Sequence, residues 1–232
     1  MDRSIYIDGT YLDKNPAWHA EDSAWKARQI LRMLQRNGIS PKTICEVGCG
    51  AGGVLRELQE GMDPSCEFHG YEISPQAFRL CEGKGNERLH FHLQDFLQEE
   101  GPPFDLLLLI DVIEHLEEYP TFLKKVKPRS RYKGLHIPLD LSVQSVLRPG
   151  RLAYLRDRMG HIHYFTKETA LHSLEDSGYR ILDHFLTGVA LENPNKTLKT
   201  HVANVPRRAV SLVHKDLAAR LFGGFSLMVL AI

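Results

Sequence analysis

Long hydrophobic runs are missing from this 232-residue chain. The longest, Leu106–Ile110 and Leu227–Ile232, are strand-sized, whereas a bilayer-spanning helix needs about 20 apolar residues. An excess of either charge is missing too. The 29 basic and 29 acidic residues balance, so composition supplies no general pull toward nucleic acid or an anionic membrane. Cysteine is scarce: four residues, at 45, 49, 66 and 81, lack the paired short spacings of a zinc framework. They read as reduced core or loop residues. The opening Met1-Asp2-Arg3-Ser4-Ile5 has no apolar leader core. These absences lead us to expect a cytoplasmic protein without membrane insertion or a nucleic-acid partner. Repeats and low-complexity tracts are absent as well.

What is present is a core and a rhythm. Apolar side chains make up 43% of the chain, enough for one sizeable core and little more. Residues 1–42 read as a polar arm followed by a helix that opens at Asn15-Pro16, carries Ala24, Ala27, Leu31 and Leu34 on one face, and stops at Asn37-Gly38. Strands then alternate with helices. The strands are expected at Thr43–Val47, Glu67–Glu72, Leu89–Leu93, Phe104–Ile110 and Tyr132–Ile137. Helices are expected at 52–60, after the Ser74-Pro75 start signal, and at 118–126. This alternation predicts right-handed crossovers and a mostly parallel α/β sheet covered on both faces. Beyond Pro138 the rhythm breaks into an insertion, 139–163. A helix capped by Thr166 and closed by Gly178, and a strand at Tyr179–Leu186, follow. A second irregular insertion, 188–216, precedes a last strand at Phe225–Ile232. The whole, 43–232 with its arm, reads as one structural domain.

The chemistry concentrates at strand ends. Gly48, Gly50 and Gly53 satisfy a loose G-x-G-x-x-G pattern, while Glu46, Gly48, Gly50 and Gly52 satisfy a more specific acidic-x-G-x-G-x-G one. A carboxylate inside a buried strand needs a partner. The ammonium of a bound amino-acid moiety is one candidate, and a capping role in a glycine turn is the other. Glu72 ends the second strand, where it can accept from ribose hydroxyls or simply sit exposed. Asp95, beside Phe96, ends the third, where it can accept from an adenine amino group or cap a turn. Asp111 ends the fourth, within Asp111-Val112-Ile113-Glu114-His115-Leu116.

These segments, ICEVGCGAGG (44–53), YEISPQAF (71–78), LQDF (93–96) and FDLLLLIDVIEHLEEYPTFLKKV (104–126), resemble class I S-adenosylmethionine-dependent methyltransferases. The likeness is greatest to the small-molecule branch that includes ubiquinone-biosynthesis O-methyltransferases. The resemblance implies a Rossmann-like seven-stranded sheet with an antiparallel C-terminal strand, S-adenosyl-L-methionine as cofactor, and a small-molecule acceptor, with O-methylation favoured. It also implies that Glu46, Gly48, Cys49, Gly50 and Gly52 hold the methionine end. Glu72 and Ile73 would serve the ribose, Asp95 and Phe96 the adenine, and Asp111 and Val112 the floor beneath the sulfonium. Lys127-Pro128-Arg129-Ser130-Arg131 departs from the glycine pair that the family usually places before its fifth strand.

For a general base the sequence offers His163 and His161, which share a face if that segment is extended. His115 is a further candidate for the same crevice. Four potential ligands, His136, Asp140, His161 and His163, have no recognised metal spacing, so no metal is expected. Trp25 reads as packing rather than as a lid over the cofactor. Two other functions stay open: a nicotinamide-dependent oxidoreductase, which leaves Glu46 without a role, and a catalytically silent cofactor-binding protein of the same fold.

Overall fold

The computed structural model describes residues 4–18, 20–192 and 204–232. Seven strands form one sheet: β1 (Thr43–Val47), β2 (Glu67–Glu72), β3 (Leu89–Leu93), β4 (Phe104–Ile110), β5 (Ser130–Pro138), β6 (Ile181–Thr187) and β7 (Ser226–Ala231). Their order is β3-β2-β1-β4-β5-β7-β6. The first five run parallel, and β7 enters antiparallel between β5 and β6. The strand order reverses between β1 and β4, so a crevice opens at their carboxyl ends.

The helices are α1 (Ser4–Ile7), α2 (Thr10–Lys14), α3 (Ser23–Arg36), α4 (Gly53–Gly61), α5 (Pro75–Arg79), α6 (Tyr119–Val126), α7 (Val143–Leu147), α8 (Arg151–Tyr154), α9 (Lys167–Asp176), α10 (Val189–Glu192), α11 (Val205–Val213) and α12 (Lys215–Phe222). They cover both sheet faces. Alternation along β4 sends Leu106 and Leu108 to one face, where they meet Ile30 and Met33 of α3 and Leu55 and Leu58 of α4. Leu107 and Leu109 go to the other face, against Leu123 of α6, Leu174 of α9 and Ala218 of α12. A strand buried on both faces has to be apolar throughout, which is why Leu106–Ile110 contains no polar residue.

Several expectations are corrected. The polar arm contains two short helices, Ser4–Ile7 and Thr10–Lys14. The first long helix begins at Ser23 rather than Pro16, and it buries Trp25, Gln29 and Met33 beside Ala27 and Leu34. The insertion 139–163 contains α7, α8 and a π-helical turn at Leu155–Met159. Of the segment 188–216, expected to be irregular, residues 193–203 lie outside the described residues, and the remainder is largely helical. In place of a glycine pair, a 3-10 turn at Lys127–Arg129 leads into β5, which starts at Ser130. No helix among the described residues is long and apolar enough to cross a membrane.

Candidate functional site

A cavity of about 780 Å³ lies over the carboxyl ends of β1, β2, β4 and β5. The arm, the 139–163 insertion and the Phe222–Ser226 turn wall it in. The glycine turn forms its base. Gly48 and Cys49 donate to the Tyr71 carbonyl at 2.8 and 3.2 Å, which ties the turn to β2. Gly50 has φ +55°, and a β-carbon there would stand 2.7 Å from the Trp18 ring. Gly52 has φ +73° and caps α4, and a β-carbon there would stand 2.5 Å from Phe91. Left-handed backbone and close neighbours therefore demand glycine at both positions.

Two acids face this turn. Glu46 is 2% exposed, and its Oε2 has no hydrogen-bond partner. Burial pushes its carboxyl up to about 8, while Lys26 opposes the rise. Glu72 receives backbone N–H groups from Gly50 at 2.9 Å and from Ile73 and Ser74 at 2.8 Å. Burial raises its pKa, and these three donors hold the rise in check. A carboxylate has about four acceptor sites, so Glu72 retains capacity for one hydroxyl rather than for a full ribose grip. That this side chain also shapes the glycine turn is not encoded in any local spacing.

Asp111 sits at the tip of β4 with φ +54°, a left-handed conformation rare outside glycine. Lys26 Nζ lies 2.8 Å from one of its oxygens and His136 Nδ1 lies 2.6 Å from the other. Burial alone would raise its pKa, but Lys26 and then His136 outweigh burial and hold it well below the usual carboxylate range. His136 also donates from Nε2 to Thr187, whose hydroxyl in turn donates to the Ser226 carbonyl. The pair thus links α3, β4, β5, β6 and β7 beneath the cavity.

Of the candidates named from sequence, Glu46, Gly48, Cys49, Gly50, Glu72, Ile73, Asp111, Val112 and His161 share this one cavity. Gly52 does not line it and acts as the helix cap. Asp95 accepts from Leu97 N–H and caps a 3-10 turn. Phe96 is 1% exposed and packs edge-on against Tyr71. Neither side chain is among those that line the cavity. His163 is also displaced: its Nε2 donates to the Leu116 carbonyl at 2.8 Å and its ring meets Tyr119. His161 lines the cavity instead, with Nδ1 2.6 Å from Asp140. Trp25 packs as expected, 5% exposed, with its indole N–H on Glu192.

Sequence reasoning overlooked Tyr6, Tyr11, Trp18, Lys26 and Arg207 as cavity walls, and weighed Asp140 only as a metal ligand. The tyrosines and Trp18 form a cluster of rings, Tyr6–Tyr11 at 5.0 Å and Tyr11–Trp18 at 4.8 Å. Tyr6 and Tyr11 were visible only as aromatics in a polar arm. Glu114 was overlooked too: fully buried, it is driven to a strongly raised pKa by burial and by Asp111 nearby.

A bare-backbone turn, a buried carboxylate with one unpartnered oxygen and an acid at the β2 tip suit a nucleoside that carries an amino-acid tail. Over residues 17–184 the chain matches the family described as Methyltransferase domain. It is similar to ajmaline N-methyltransferase of Rauvolfia serpentina, with 32% identity over 93 residues covering 37% of this chain and 31% of that protein. Norajmaline N-methyltransferase of the same organism is 28% identical over 133 residues, covering 51% and 44%. The chain therefore spans less than half the length of these curated relatives. Magnesium protoporphyrin IX methyltransferase from Synechocystis PCC 6803, solved with bound S-adenosylhomocysteine, shares the fold at a TM-score of 0.66, with 99% of both chains covered and 16% identity. The chain belongs to the class I S-adenosylmethionine-dependent methyltransferases.

Proposed function

We propose that this chain methylates a heteroatom of a small molecule held in the same cavity as S-adenosylmethionine. The observation that carries the reading is Glu46, a buried carboxylate with an oxygen that no protein donor meets. The cofactor's ammonium is the cation of matching chemistry. Bound over the glycine turn, S-adenosylmethionine would supply a methyl group already activated on a sulfonium. The chain's own part is then alignment and exclusion of water, which together supply about 7–11 kcal/mol of such barriers. Gly48 and Gly50 permit close approach, and Glu72 fixes the turn and offers its one remaining acceptor position to a ribose hydroxyl. Asp111, locked between Lys26 and His136, gives a rigid floor. Residues 4–18 with α3 form a lid, Trp18 resting on Gly50.

On the acceptor side, the Asp140 carboxylate orients His161, which presents its ring to the cavity and meets the acceptor's oxygen or nitrogen. Resemblance to O-methyltransferases favours oxygen, and the names of the curated relatives favour nitrogen. Both atoms need an aligned lone pair and relief of a proton. The free, buried cysteines at 45, 49, 66 and 81 suit a reducing compartment such as the cytoplasm.

Calorimetric titration tests the cofactor assignment. S-adenosylmethionine and S-adenosylhomocysteine should bind one per chain and NAD should not. Saturation with NAD and silence toward S-adenosylmethionine would favour the oxidoreductase reading. Release of S-adenosylhomocysteine in the presence of phenolic or amine acceptors separates an enzyme from a silent binding protein.

A further inference from the structure

Charge is distributed unevenly around the cavity. Glu46, Glu72 and Asp111 stand at the tips of β1, β2 and β4, whereas the lining arginines, Arg148, Arg151 and Arg207, come from the helical segments on the other flank. Pro138 pairs with Ser226, so the turn into β7 stands at the carboxyl end of β5, away from β1 and β2 in the strand order. Arg207 reaches that turn. Its Nη2 donates to the Phe222 carbonyl at 2.7 Å. The same guanidinium donates to the side-chain oxygen of Asn204, just before α11, and to that of Gln144 in α7 at 3.4 Å.

All three of these acceptors are neutral. Arg207 Nε is buried and donates to nothing. Among the described residues no carboxylate pairs with Arg207, because the acids on neighbouring elements are engaged elsewhere. Asp140 faces His161, and Asp216 of α12 faces Lys167 and Arg220. Burial works against the charge of Arg207, yet a guanidinium keeps its proton at any ordinary pH. A half-buried cation with only neutral partners is costly, and neutral acceptors can be bridged by a neutral side chain without that cost. Arg148 and Arg151 flank the same space. Arg148 is exposed, Arg151 lies over the Tyr154 ring at 5.5 Å, and neither meets a carboxylate among the described residues.

We propose that Arg207, with Arg148 and Arg151 at the rim, is the site for an anionic group, a carboxylate or a phosphate, on the small molecule that shares the cavity with the nucleoside. Both oxyanions match the planar donor fork of arginine, and either supplies the charge that the protein acceptors lack. The bonds to Asn204, Gln144 and Phe222 hold the guanidinium in place before the ligand arrives, so little ordering remains to be done on binding. An anion anchored there leaves the other end of its molecule to face the strand tips, the orientation that a methyl acceptor needs. That this molecule is the methyl acceptor rests on the methyl-transfer reading; the anion site itself does not.

The test uses the full chain, with and without saturating S-adenosylhomocysteine, and three ring probes: benzoate, phenyl phosphate and neutral benzamide. Ligand-observed NMR titrations measure their affinities. At least one anion should bind about tenfold more tightly than benzamide, and the better of the two tells which oxyanion the site takes. Arg207→Gln should remove that preference while leaving benzamide unaffected. Arg207→Lys keeps the charge without the fork, and should cost the anion at least about threefold. Arg148→Gln combined with Arg151→Gln should weaken the anion about 2–5-fold and flatten its salt dependence. Arg56→Gln, on the exposed face of α4, should change nothing. Affinity for S-adenosylhomocysteine, measured on every variant, reports that the fold is intact. Equal binding of anions and benzamide by the wild-type chain, or an undiminished preference in folded Arg207→Gln or Arg207→Lys, overturns the site. If S-adenosylhomocysteine binds and no anion is preferred, the anion site falls and the cofactor reading stands. If an anion binds through Arg207 and S-adenosylhomocysteine does not bind, the reverse holds.

Discussion

Burial keeps the Glu46 carboxyl largely protonated until about pH 8 in the ligand-free chain, against an ordinary value of 4.5. The folded-state pKa lies above the unfolded one. The contribution of Glu46 to stability is therefore complete below about pH 4.5 and is lost as pH climbs toward 8, by up to ~1.4 kcal/mol per unit. An ammonium beside the carboxyl reverses that preference, so binding at neutral pH should expel a proton. Affinity for S-adenosylhomocysteine should rise between about pH 6 and pH 8, by at most about tenfold per unit, and level off above. Titration calorimetry in buffers of different ionisation enthalpy measures the released proton directly. Glu46→Gln should abolish both the release and this part of the pH slope, because the amide has no proton to lose. Identical slopes in the two proteins would separate Glu46 from the ligand's ammonium. Asp111 shows the opposite sign: its depressed pKa makes it a carboxylate across this whole range, so it adds nothing to the slope.

The arm is the element whose contribution is least visible in sequence. Trp18 lies against Gly50 and stacks edge-on with Tyr11, so a ligand on the glycine turn would leave beneath this ring. Trp18→Ala should speed dissociation of S-adenosylhomocysteine roughly 3–10-fold, the loss of about 0.5–1.5 kcal/mol of ring contact, with a smaller change in the association rate. Stopped-flow displacement reads both rates, and an unaltered off-rate would mean that the arm is no lid. Elements differed widely in how legible they were. β1, β2, β3 and β4 match their expected bounds: an apolar run marks β4, and apolar residues broken by polar ones, as in the LHFHL of β3, mark the half-buried strands. The Ser74 and Thr166 caps were equally plain. By contrast, α11 was invisible because its apolar residues do not face the core: Leu212 and Val213 are 89% and 90% exposed, and only Val210 packs inward. Within the site, the glycine turn and Glu46 were legible from local spacing. Asp140 behind His161, Lys26 beside Asp111 and Phe96 turned into the core depend on which elements meet across the sheet, and no local spacing encodes that.

At the scale of the whole molecule, the cavity draws its walls from both ends of the chain and from both layers over the sheet. Tyr6 and Trp18 come from the arm, Lys26 from α3, Glu46 and Asp111 from strand tips, and Phe222–Ser226 from the turn into β7. The Lys26–Asp111–His136–Thr187–Ser226 chain of contacts runs under it and joins the layers. A ligand seated there therefore contacts segments that unfold together, and its binding free energy adds to global stability by mass action. At about 100 times its dissociation constant the gain is about 2.7 kcal/mol. For a domain of this size each kcal/mol moves the melting temperature by about 2–4 °C, so S-adenosylhomocysteine should raise Tm by roughly 5–10 °C. Lys26→Met removes a support under the floor and one of the many walls of the cavity. It should lower the Tm of the ligand-free chain while leaving most of the ligand-induced increment intact. Calorimetric melts with and without ligand separate the two effects. A ligand increment confined to a minor early transition, with the main unfolding unmoved, would show that the cavity walls melt apart from the sheet and that the site is not coupled to the fold as a whole.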